Sequence, residues 1–123
     1  MKTYEVYEKS SAVFKATLVD EDGNAVALSA LTTLTATLYS LDDPAKAVIN
    51  LRNAQDIKNA NNGTFHATSG LLTFELQPND NVIVDTSRPR ERHLLQFDFT
   101  YNAGAKTGRY AAVIVVKNLE KVT

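Results

Sequence analysis

The segment from Arg92 to Lys117 constrains the fold more than any other part of the chain. Leu95, Phe97, Phe99 and Tyr101 alternate with Gln96, Asp98 and Thr100. The Gly-containing run Asn102-Ala-Gly-Ala-Lys-Thr-Gly108 follows, and then Tyr110 to Val116. Period-two alternation on both sides of such a turn predicts two long strands in an antiparallel hairpin. Hairpins of this length need a second layer to cover one face, so the segment already points to a β-rich domain.

The rest of the chain supplies more of the same. Ala12 to Val19 reads as a strand, with Phe14, Ala16 and Leu18 on one face and Lys15 and Thr17 on the other. Asp20-Glu-Asp-Gly-Asn24 stops it, because Asp and Asn bond their own backbone and Gly tolerates positive φ. Leu28 to Ser40 alternates Leu34, Ala36 and Leu38 with Thr33, Thr35, Thr37 and Tyr39, and Asp42-Asp43-Pro44 ends it. Lys46 to Leu51 is expected to pair with a neighbour. Arg52 to Ala60 is ambiguous, with Ala54, Ile57 and Lys58 spaced for a helical turn too short to stand alone. Asn59-Ala-Asn-Asn-Gly63 is a turn. Thr64 to Thr68 and Leu71 to Leu76 flank Ser69-Gly70 as a second hairpin. Val82 to Val84 is a short apolar run, and Ser87 to Arg92 is a charged loop. At the start, residues 1–10 read as an edge strand or an arm, with Tyr4 and Val6 on one side and Glu5 and Tyr7 on the other.

Seven to nine short strands without a useful amphipathic helix predict an all-β chain, an immunoglobulin-like antiparallel β-sandwich. The 123 residues suit one domain spanning 1–123. A chain of this size buries roughly two-thirds of its surface, enough for one core. There is no cysteine, so disulfides, thiolate metal sites and cysteine catalysis are excluded. The formal net charge of −1 argues against a dedicated nucleic-acid binder and does little to oppose self-association. The N-terminus carries no apolar run of the signal-peptide kind. Ala25 to Leu38 is too short and too rich in threonine to span a bilayer.

No set of residues assembles into a catalytic pattern, and none points to a cofactor or a metal. His66 and His93 lack carboxylate partners at a ligand spacing and read as structural or surface residues. Asp20, Glu21 and Asp22, like Asp42 and Asp43, read as solvated turns, since no calcium-loop spacing is present. There is no Gly-x-Ser-x-Gly elbow and no phosphate-binding glycine loop. Thr33, Thr35 and Thr37 make a single row on an outer sheet face. Asn62-Gly63-Thr64 matches a glycosylation acceptor but reads as a turn.

Candidate contact residues are easier to name. Arg88, Arg90 and Arg92 surround Pro89 and Glu91; such a cluster either grips a phosphate or an acidic neighbour through guanidinium forks or forms a soluble loop. Tyr4 and Tyr7 either meet a partner or dock the first segment on its own sheet. Ala111 to Val116 is apolar on both faces, so its second face is covered either within the chain or by another subunit.

The run Phe14 to Leu31 resembles the opening of small immunoglobulin-like domains in tailed-phage virion proteins, with the N-terminal domain of the baseplate upper protein as the nearest pattern. Asp22-Gly23-Asn24-Ala25-Val26 and Leu28-Ser29 follow that family's turn and step. Asn62-Gly63-Thr64, Leu71 to Pro78 and Arg92 to Val116 keep a similar course. Ala25, Ala27 and Ala30 depart from the family's proline, aspartate and glycine. The resemblance implies a non-enzymatic virion structural protein of head, neck, tail or baseplate, assembled in the host cytoplasm. Its partners would be other virion proteins, with repeated copies or a homo-oligomer in a symmetric assembly. It brings no catalytic residues. The alternative function is a carbohydrate-binding or adhesion β-sandwich module, which the absence of tryptophan weakens.

Overall fold

A computed structural model describes residues 2–119. Eight strands form two sheets: β1 (Lys2–Tyr7), β2 (Ala12–Thr17), β3 (Leu31–Ser40), β4 (Gln55–Asp56), β5 (Gly63–Phe65), β6 (Leu71–Leu76), β7 (Arg90–Tyr101) and β8 (Lys106–Lys117). The larger sheet runs β1-β8-β7-β3-β4 and the smaller β2-β6-β5. They face each other as a β-sandwich. The one helical element among the described residues is a 3-10 turn at Pro78–Asp80, so none is long and apolar enough to cross a membrane.

The long hairpin forms as its alternation demands. β7 and β8 pair without a break from Arg90↔Lys117 to Tyr101↔Lys106. Asn102, Ala103 and Gly104 turn the chain with positive φ, a conformation that asparagine and glycine adopt at low cost. β3 pairs antiparallel on the other edge of β7, from Leu31↔Tyr101 to Ser40↔His93. The single departure from antiparallel pairing is β1. It lies parallel to β8, from Lys2↔Ala112 to Tyr7↔Lys117, as the edge strand of the larger sheet. The chain then reverses at once, with the Ser10 hydroxyl donating to the Tyr7 carbonyl, and crosses to the smaller sheet.

The core fills the gap between the sheets. Leu34, Ala36 and Leu38 of β3 and Phe97 and Phe99 of β7 face Phe14, Leu72, Phe74 and Leu76, all buried. Phe97 is the hub: its ring lies 5.3 Å from Phe14 and edge-on to Phe74 at 5.6 Å. Burying each such ring contributes about 1.5–3 kcal/mol over leaving it exposed.

Three segments take forms that the sequence left open. Lys46–Leu51 contributes only an isolated bridge, Tyr39↔Val48, because Asn50 and Leu51 take left-handed conformations that turn the chain away. The stretch from 52 to 60 forms no helical turn. It makes the two-residue β4 and drops Ile57 fully into the core, a long-range demand that outweighs local helical spacing. Gly63 follows of necessity, since a Cβ there would lie 2.2 Å from the Ile57 carbonyl oxygen. Val82–Val84 is not a strand: Ile83 packs in the core while the Val84 amide donates to a side chain, Glu91.

Candidate assembly interface

The predicted contact residues fall into two groups. Tyr4 and Tyr7 sit on opposite faces of β1. Tyr4 turns inward, its ring edge-on to Phe14 at 5.2 Å, and so docks its own strand. Tyr7 points outward and is half exposed, with the Lys117 ammonium 5.9 Å from its ring centre. Beside it, Lys117 bonds Glu5 at 2.8 Å and holds that carboxyl below its usual pKa.

The arginines lie where the 82–89 loop enters β7. Arg88 donates to Glu91 at 2.9 Å and to the Asp42 carbonyl at 2.9 Å. Arg92 grips the Asp42 carboxylate through Nε and Nη2 at 3.0 and 2.8 Å. That fork, with the Arg92 backbone amide, holds the Asp42 carboxyl below the ordinary aspartate range and raises the guanidinium's own pKa. Two of the three arginines are thus engaged by carboxylates of their own chain. Arg90 is exposed opposite Lys117.

Behind this loop lies a buried pair that residue spacing did not reveal. Glu91 and His93 are i, i+2 on β7, so both point inward, and both are fully buried. Glu91 accepts from the amides of Val84 and Asp85, from Arg88 and from His93 Nε2 at 2.7 Å. Burial holds the His93 pKa below its ordinary value, against the opposing pull of Glu91. The neutral ring donates from Nε2 to the carboxylate, and its Nδ1 lone pair is buried without a hydrogen-bond partner. A second buried pair ties the loop after β3 to the 3-10 turn. Arg52 meets Asp80 through Nε at 2.5 Å and Nη2 at 2.9 Å, and its plane lies 4.7 Å over Phe74. Gln55, Asn61 and Asn62 accept the remaining guanidinium donors, while Asn50 and the Gln77 amide complete Asp80. Alternation could have placed Glu91 and His93 on the core face. Nothing local in Arg52 or Asp80 announces their contact.

Other polar candidates serve the backbone. His66 lies just past β5, and its Nδ1 accepts the amides of Thr68 and Ser69. Asp20 accepts the amides of Asp22 and Asn24. No group of three or more His, Asp or Glu capable of holding a metal occurs among the described residues.

The outer face of the larger sheet carries an apolar strip in which Ala111 and Val113 are half-buried and Leu94 and Val115 are buried among their neighbours. Along β8, Ala112, Ile114 and Val116 enter the core, so Ala111, Val113 and Val115 face outward. Leu94 of β7 pairs with Val113, and Tyr39 of β3 pairs with Leu94. No element of either sheet lies over this strip among the described residues. Tyr7, Arg92 and Glu5 border it through the pairings with Lys117 and Val115. No family model matches the chain, and no curated protein matches it.

Proposed function

We propose that this chain is a non-enzymatic structural component of a tailed-phage virion, of head, neck, tail or baseplate, acting by protein–protein assembly. The observation that carries the reading is the apolar strip Ala111–Val113–Val115 with Leu94 on the outer face of the larger sheet, where the half-buried Ala111 and Val113 extend the buried Leu94 and Val115 toward solvent. The buried polar groups support it from the other side. Each cluster braces loops against strands, and none gathers around a pocket in the way that reacting groups must. The strip, rimmed by Tyr7 and Arg92, has the apolar centre and aromatic and arginine border common at interfaces. Symmetric repetition then multiplies modest contacts into stable attachment to other virion proteins.

Light scattering across a concentration series, with and without calcium, tests this. The expected result is a defined ring-sized oligomer that Val113→Asp dissociates without unfolding the sandwich. A strict monomer at every concentration, for the parent chain and the variant alike, overturns self-assembly.

A further inference from the structure

β1 covers only the second half of β8. It pairs β8 from Ala112 to Lys117, and no described strand lies on that edge from Lys106 to Ala111. The Glu8 amide donates to the Lys117 carbonyl, so the odd-numbered residues of β8 turn their backbone groups toward β1. Thr107 and Arg109 share that parity, and their amides and carbonyls face a lane in line with β1 that no described strand fills.

The lane borders a cavity of about 220 Å³ whose floor and rim differ in character. Leu18, Phe99 and Tyr110 line the apolar part, and Asp20 and Glu21 stand at the acidic part. Gly108 keeps the floor open to the Phe99 ring, since a Cβ there would lie 2.1 Å from it. Asp20 and Glu21 are the acids of the lining, and its one base, Arg109, is engaged outward by Asp98; Glu21 also pairs Lys106 at 3.1 Å. An apolar floor under carboxylates matches a long cationic side chain, whose methylene stem packs while its head meets the acids.

We propose that the empty edge of β8 from Lys106 to Ala111 takes an extended segment of a partner protein that carries an inward-pointing lysine or arginine. Backbone bonds to Thr107 and Arg109 supply the pairing, and the cavity with Asp20 and Glu21 selects the side chain. The lane is too short for a stable dimer interface by itself, which favours a partner's extended segment over a second copy. This inference rests on the assembly reading and names one of its contacts.

The test places the segment in cis. A five-residue extension before Met1 runs along the lane at high effective concentration, with lysine at the positions beside Gly108 and Tyr110 and threonine elsewhere. A matched extension carries glutamate at the same positions. The readout is residue-resolved amide exchange. The expected result is slowing of the Thr107 and Arg109 amides by about tenfold or more with lysine, loss of that slowing with glutamate, and loss again in the lysine form bearing Glu21→Lys. An unchanged exchange pattern in the core of each chain shows that it is folded. No slowing with either extension overturns the inference, as does equal slowing with both. Concentration-dependent protection of the two amides in the unextended chain also overturns it, since a second copy then fills the lane. Self-association with both amides unprotected, and no slowing by the lysine extension, leaves assembly through the outer face standing and removes this contact alone.

Discussion

Among the described residues, two buried pairs of ionisable side chains are built to opposite standards. Arg52–Asp80 is saturated: each guanidinium nitrogen and both carboxylate oxygens have partners, and Phe74 covers the plane. His93–Glu91 is saturated on the carboxylate and incomplete on the ring, where Nδ1 has no partner. In the second pair, burial favours the uncharged ring. A saturated pair acts as a fixed brace, whereas an incomplete one makes stability depend on protons.

The sharpest way to break the comparison is to remove one partner of the saturated pair. Asp80→Ala strands a buried guanidinium and frees the Gln77 amide and Asn50. Its expected cost is about 3–5 kcal/mol in urea unfolding, with no new slope against pH between 5 and 8. Glu91→Ala comes next. It leaves the Val84 and Asp85 amides and Arg88 without their acceptor, but the 82–89 loop can admit water, so about 2–4 kcal/mol is expected.

The pH profile distinguishes the two pairs directly. His93 has a folded pKa below its unfolded value, so the unfolded chain binds the proton first as pH falls. Its contribution is complete above the ordinary histidine range and declines as pH drops through about 6.5. His93→Phe is expected to flatten that decline, seen as melting temperatures between pH 5 and 8, while Asp80→Asn keeps it. A flat profile in the parent chain would sink the distinction. The smallest effect belongs to the exposed Arg92–Asp42 fork. Arg92→Ala is expected to shift the melting temperature least of these variants, and less still in high salt. Asp42, with its depressed pKa, supports the fold above the ordinary aspartate range and loses that support only as pH falls through its lower folded value.

How far each part was legible follows from range. The β7–β8 hairpin, the β5–β6 hairpin and β3 are written in period-two alternation with turn residues between, and each forms close to where the residues place it. Lys46–Leu51 pairs through a single bridge and the stretch from 52 to 60 was ambiguous in the sequence, because their conformation answers to Ile57 and Arg52 reaching into a core built by distant strands. Tyr4 and Tyr7 were separated correctly by alternation, but only Tyr7 is free to meet a partner. The arginine cluster was visible as a cluster. That Asp42 and Glu91 engage two of its members was not, since Asp42 lies fifty residues upstream of Arg92.

The sequence by itself determined that the chain is all-β, that its longest strands pair as a hairpin, and which side of each strand is apolar. These are consequences of side-chain periodicity and turn chemistry, which act over a few residues. Only the tertiary structure decided that β1 runs parallel on β8, that the Arg52–Asp80 and His93–Glu91 pairs lie in the interior, and that no described strand pairs the first half of the β8 edge. Those outcomes depend on which strands become neighbours, a choice made by burying apolar faces between sheets, for which no short run of residues carries the code.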